Sequence, residues 1–297
     1  MLYQVGQLLN ESGASGILDT KSTYTFINQA AREVVSRALC LGAQQTISTV
    51  INQTGYDLNA DFLKLYLRNK SKEFFIKYND GSADSFIKWG DYENIIYQNN
   101  TDSVPVPSLF SIIDSPTLSA SISGTNTLNG PLTNNESVLT DGSADFTNVS
   151  AGDIIHNVTD GSDGVVLQKT STTVLATALF GGTLNKWSIS DSYTIQPQGR
   201  LQLVLNPPPS NGSNTITVFY QQRPAPVYAD LRTFRFNTQY FPPLVSYAAF
   251  LYKYKDRQPN FGDHLFVMFD KQVKEIASNV NFAFNRTSFG VNFKKRK

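Results

Sequence analysis

The sequence predicts an α+β protein, in which an N-terminal helix and two C-terminal helices form a helical core that carries β-hairpins and an inserted all-β domain. Three observations predict it: a helical apolar rhythm near each end, period-two alternation after the first helix, and an abrupt compositional change in the middle. With 297 residues and 40% hydrophobic content, the chain can bury one sizeable core or two modest ones and is too apolar for disorder.

The first helix is expected from Ser22 to Cys40. Phe26, Ile27, Ala30, Ala31, Val34, Val35, Ala38 and Leu39 follow a two-on, two-off rhythm that winds onto one face, with Ser22 or Thr23 as cap and Gly42 as stop. Cys40, the single cysteine, falls on that stripe and reads as a buried structural thiol; alone, it rules out an internal disulfide. The period then changes to two. Leu63, Leu65 and Leu67, followed across Asn69-Lys70-Ser71 by Phe74, Ile76 and Tyr78, read as a hairpin. Ser85 to Gln98, with Phe86, Ile87, Trp89, Tyr92, Ile95 and Ile96 at mixed spacing, reads as a weaker helix.

Between about Pro116 and Ser190 the chain turns to Thr, Ser, Gly, Asn and Asp with short β-branched runs. Strands are expected at Ile154 to Asn157, Gly164 to Lys169 and Thr173 to Ala178. Leu201 to Leu205 and Asn214 to Tyr220 then read as a hairpin joined by a loop rich in proline, Pro207 to Pro209, which cannot donate to a ladder. Two helices follow, one opening at Pro242 and Pro243, where missing amide hydrogens cost little, the other starting near Asp263. The resulting division is 1–115 for the first part of the core, 116–190 for the insert, 191–284 for the second part and 285–297 for a basic tail.

The charge pattern excludes a global field: 25 Lys and Arg stand against 24 Asp and Glu, so neither nucleic acid nor an anionic membrane is favoured overall. No run is apolar enough for a leader or a membrane span, and the Asn-x-Ser/Thr triplets read as chance matches in a Ser/Thr/Asn-rich chain. His156 and His264 lie in different regions without a nucleophile or metal partner at motif spacing, so a catalytic triad and a zinc centre are not expected. The acidic runs Asn79 to Asp84, Asp141 to Asp145 and Asp160 to Asp163 have closely spaced oxygens that suit calcium, but they lack the distal Glu of a full loop and equally suit tight turns. Trp187 and Tyr193 are the aromatic candidates for a sugar platform in the insert, against the plainer role of core. The terminal Lys294, Lys295, Arg296 and Lys297 form the one dense basic run. Phe289, Val291 and Phe293 beside them give that tail apolar anchors for docking on a partner, against the plainer role of a solvated end.

This order of elements resembles the head-to-tail adaptor, or connector, proteins of tailed bacteriophages. The likeness rests on Phe26 to Glu33, Tyr56 to Leu65, Gly199 to Pro209, Thr215 to Pro226 and the helix after Pro243. In the insert, Leu139 to Phe146 and Ala151 to Ile155 resemble a small β module that recurs in phage structural proteins. The likeness covers most of the chain in order, although many adaptors lack such an insert.

The resemblance implies a non-enzymatic virion protein at the head–tail interface, made in the host cytoplasm and using no cofactor. It implies a homo-oligomeric ring, dodecameric by that likeness, seated between the portal protein and a downstream tail or nozzle protein. DNA passes through its channel without sequence-specific binding, and no membrane is involved. Phe289, Val291, Phe293, Lys294, Lys295, Arg296 and Lys297 are the expected portal contacts. The competing expectation is a tail or baseplate protein whose β insert binds host glycans.

Overall fold

The computed structural model of the chain describes residues 4–5, 20–38, 40–68, 73–74, 76–91, 93, 102–115, 120–228, 232–235, 237–255 and 259–284. The residues divide into a helical unit, Met1–Cys40 with Phe236–Lys297, and a β unit, Leu41–Arg235. The described residues hold seventeen strands in four sheets and three α-helices, so the protein is mainly β, and the expected helical core with β attachments is overturned. The physical reason lies in residues 41–115 and 191–222: they close a hydrophobic core of their own from short strands, several only two to four residues long, whose periodicity is faint in sequence.

In the helical unit, α1 (Thr20–Ala38) buries Tyr24, Ile27, Ala30, Ala31, Val34, Val35 and Ala38, the face that its rhythm predicts. It ends at Ala38, short of Gly42, which opens a strand instead. The second helix, α2 (Phe241–Lys255), follows a 3-10 turn, Thr238–Tyr240, whose cap Asn237 accepts the Gln239 amide. Pro242 and Pro243 occupy its first turn, as their lack of a donor allows. The last helix, α3 (Pro259–Phe284), starts four residues before the expected Asp263 and packs on both others. Arg37 of α1 ties that helix to α3. Its guanidinium lies 5.2 Å from the Phe269 ring centroid and 5.7 Å from that of Phe266, and it pairs with Glu33 at 2.6 Å and Asp270 at 3.4 Å. No helix among the described residues is long and apolar enough to cross a membrane.

The β unit begins with two sheets that share one core. In the larger, β17 (Thr215–Gln222) is central: β1 (Gly42–Ser48) pairs along one edge, while β6 (Ile76–Asn79) and β3 (Phe62–Leu65) share the other. β7 (Asp84–Phe86) flanks β6. The smaller sheet runs β2 (Gly55–Asp57), β16 (Leu201–Asn206), β9 (Leu109–Asp114), β8 (Lys88–Trp89), antiparallel except for the last pair. Between them lie Leu58, Ile76, Tyr78, Phe110, Leu203, Leu205, Ile216 and Val218, all essentially buried.

Three expectations are corrected here. β16 and β17 exist, but they join different sheets, so the proline loop is an arch between layers and not a hairpin turn. The loop is held from both sides: the Val104 amide donates to Pro208 O and the Asn52 amide to Pro209 O. Ser85 to Trp89 is not helical; the chain passes from β7 in one sheet to β8 in the other, burying Ile87 at the crossing, and this explains the mixed apolar spacing. Of the rest of that segment, which ends at Gln98, residues 92 and 94–98 lie outside the described residues. Finally, the leucine alternation of the first hairpin is broken by a bulge against β17. Phe62 and Leu65 face the core, whereas Leu63 does not; the hairpin's outer rungs, β4 (Leu67–Arg68) and β5 (Glu73–Phe74), do pair.

The remaining sheet has six antiparallel strands in the order β10 (Ile122–Thr125), β15 (Ser192–Gln196), β12 (Ile154–Asn157), β13 (Ser162–Lys169), β14 (Val174–Phe180), β11 (Ser137–Thr140). It curls around Leu139, Phe146, Ile155, Val166, Leu175, Trp187, Tyr193 and Ile195. A bulge at Leu167 turns that residue to the outer face, where it joins Ala178, Phe180 and Tyr228. The chain leaving β17 therefore crosses the outside of this module. Arg232 pins it there, donating from Nε and Nη2 to the two Glu136 oxygens at 2.8 Å each and from Nη1 to Gln168 at 2.8 Å.

Asn126 closes the curl. The buried side chain accepts the Thr140 amide at 2.9 Å and donates to the carbonyls of Leu128 and Ser188, tying β10 to β11 and to the loop before β15. Replacing it leaves three part-buried backbone groups without that partner. Asn126→Ala should destabilise the β unit by ~2–4 kcal/mol, measured by urea unfolding, because each unsatisfied group costs ~1–3 kcal/mol. In the helical unit, Phe269→Ala should lower stability by ~3–5 kcal/mol in the same assay, the usual loss for a fully buried phenylalanine.

Candidate functional site

The basic and apolar residues expected to meet a partner, Phe289, Val291, Phe293, Lys294, Lys295, Arg296 and Lys297, lie outside the described residues. The other sequence candidates fall on described residues. Cys40 sits past the end of α1 rather than on its stripe; burial nevertheless pushes its thiol up to about 11, far from a reactive thiolate. His156 is in β12 beside Asp163, at 2.9 Å, and His264 is on α3 in the other unit.

The acidic runs are turns. Asp80 accepts the amides of Ser82 and Ala83 at 2.8 Å, and these bonds hold its carboxyl below the usual range. Asp160 accepts the amides of Leu184 and Asn185 at 2.8 and 2.9 Å, so it spans two loops. Asp145 takes the Thr147 hydroxyl and amide, which lower its pKa. Among the described residues no three His, Cys, Asp or Glu side chains are grouped to hold a metal ion.

Trp187 and Tyr193 are each 1% exposed, so neither offers a sugar platform. Both carry their polar ends inward. Trp187 Nε1 donates to Thr177 Oγ1 at 2.9 Å, and the Tyr193 hydroxyl donates to Asp141 Oδ2 at 2.8 Å. Gly124 makes this possible: a Cβ there would collide with the Asp141 carboxylate and the Tyr193 hydroxyl.

An open groove of the β unit adjoins this pair. Just past β10, the Asn126 amide donates to Asp191 O, and within it Gly124 and Ile122 face Tyr193 and Ile195 in the same register. Antiparallel alternation then directs the backbone N–H and C=O of Ser123 and Thr125 to the opposite edge. At the end of that edge the Thr127 amide and hydroxyl both donate to Thr140 O, at 2.7 and 2.9 Å, so β10 and β11 touch. Beyond Thr140 the chain turns away, with the Ala144 amide bonding Asp141 O, and a seam opens. The seam is a groove of about 700 Å³ walled by Ser121–Thr125 and Thr127 on one side and by Asp141 and Ser143–Asp145 on the other. Among the described residues the edge groups of Ser123 and Thr125 have no partner.

Sequence reading singled out Asp141 and Asp145 as turn formers but missed β10, whose Ile122-Ser123-Gly124-Thr125 contains one large apolar residue. The exposed pattern of the seam is a row of hydroxyls, a strand edge and the Asp145 carboxylate; it suits recognition of a polar or extended partner more than bond-making chemistry.

The buried hydroxyls give a pH signature. Burial, reinforced by the Asp61 carboxylate that accepts its proton at 2.8 Å, pushes Tyr220 up to about 12, and burial beside Asp141 raises Tyr193 as well. The folded state keeps protons that the unfolded chain releases near pH 10. The stability from this source is therefore complete below pH ~10 and falls, by on the order of 2 kcal/mol for Tyr220, as pH rises toward about 12. Ultraviolet titration should show these two phenols ionising together with unfolding, and Tyr220→Phe should flatten the alkaline limb of the stability curve.

No protein-family model matches the chain, and no curated protein matches it in sequence.

Proposed function

We propose that this chain is a structural component of a tailed-phage virion, an adaptor that self-associates into a ring between the portal and the tail and surrounds the path of the DNA. One observation carries the reading: among the described residues, several carboxylates and phenols that chemistry would draw on are spent on architecture. Asp80, Asp141, Asp153 and Asp160 accept backbone amides, Asp191 holds Asn157 and the Ser188 amide, and Tyr193 and Tyr220 are buried on carboxylates. What stays available is surface.

Two further points support it. The order of sequence segments that resembles the adaptors survives as a sequence feature, although the helices form a unit of their own and not the core of the whole chain. Near-neutral net charge, +1, also suits a passage through which DNA slides without adhering. A closed ring needs two different surfaces on each subunit and should bury more than ~1,000 Å² per contact.

Electron microscopy and sedimentation of the purified full chain, alone and mixed with portal rings, provide the test. The expected result is a closed ring that stacks coaxially on the portal. Portal rings that stay bare in the presence of excess chain, or virions that attach normal tails without it, would overturn the reading.

A further inference from the structure

We propose that the free edge of β10 accepts the C-terminal segment of a second copy of this chain, added to the module as an extended strand. The inference rests on the ring reading and names a contact by which one subunit holds the next. It assigns residues 285–297 to a neighbouring subunit, where the sequence resemblance directs them to the portal.

The receiving side is built from backbone. Ser123 and Thr125 present N–H and C=O groups to the seam, and a strand laid beside them gains ladder bonds without displacing an existing partner among the described residues. The seam is short, from Ser121 to Thr127, and it is closed at one end by the Thr127–Thr140 contact, which fixes where an added strand must stop. Its wall facing β10 carries the exposed Asp145 carboxylate, and no Lys or Arg is among its lining residues.

The donor side is read from sequence. Phe289, Val291 and Phe293 alternate with Gly290 and Asn292, the period of a strand and not of the helix that precedes it. Lys294, Lys295, Arg296 and Lys297 follow at once, so a strand placed in the seam brings cations to the Asp145 wall. The thirteen residues after Phe284, if extended at ~3.3 Å each, span about 40 Å. Because the donating segment and the accepting edge are different surfaces, the contact is heterologous, the type that closes rings.

The experiment uses hydrogen–deuterium exchange and sedimentation on the full chain, a chain ending at Phe284, and a synthetic peptide of residues 285–297. Added at 1 mM to the shortened chain, which is expected to be monomeric, the peptide should slow exchange in residues 121–127 at least fivefold. Ser123→Pro removes one seam-facing amide at an edge position that tolerates proline. In the full chain it should abolish self-association, and Asp145→Lys should weaken peptide binding at least tenfold.

Unchanged exchange in residues 121–127 on adding peptide would overturn the proposal without needing any variant to fold. So would a full chain whose seam is protected while it sediments as a monomer, since the segment would then belong to its own subunit. Rings seen by microscopy with an unprotected seam would sink this contact alone, whereas a protected seam in open chains or dimers would sink the ring and spare the contact.

Discussion

The hydrogen-bonding capacity of β17 is divided among three strands: β1 takes one edge over seven residue pairs, and β6 and β3 take successive stretches of the other. That division constrains the rest of the β unit. Segments 42–48, 62–65 and 76–79 come together only after residues 215–222 arrive, so the larger sheet depends on contacts of very long sequence separation. The inward side chains Ile216, Val218 and Tyr220 then form the floor on which the smaller sheet places Leu203, Leu205 and Phe110. Such topology stabilises by burial while making the core slow to assemble.

The six-stranded module solves the opposite problem. Its strands follow each other closely in sequence, but a sheet of this curvature leaves two edges, β10 and β11, that must either meet or stay open. Asn126 and Thr127 make them meet at one end. At the other end the Asp141 turn keeps them apart, and Gly124 allows the carboxylate of that turn to reach the Tyr193 hydroxyl inside. Closure and opening are thus set by neighbouring residues on the same strand. The proposed role as an assembling virion component asks for this combination, a rigid body with one strand edge left for another molecule.

How much of this was legible in the sequence depended on the range of the interaction involved. α1 was readable because its seven buried apolar residues repeat at helical spacing within nineteen positions, and Ile154–Asn157 was readable because its flanking turns are explicit. The sheet assignment of β16 and β17 was not, since nothing local tells an arch between layers from a hairpin turn. Ser85 to Trp89 misled for a related reason: a chain that changes sheets at Ile87 shows its apolar side chains to two different cores, and the mixture imitates a weak helix. Trp187 and Tyr193 read as core more readily than as a platform, and their polar ends bond Thr177 and Asp141 inside the module. The seam itself carried no hydrophobic mark, because its useful groups are peptide bonds.

The fork of Arg232 on Glu136 lies between β17 and the end of the β unit at Arg235. Any pull on the chain beyond that end meets two parallel charge-assisted bonds before it meets the ladder of the central strand. The clamp sits on the residue just before β11, so mechanical load entering there is diverted into the six-stranded module and the two-sheet core is shielded from being unzipped. Under load, such a strain relief would let one part of the β unit yield while the part that shapes it keeps its form.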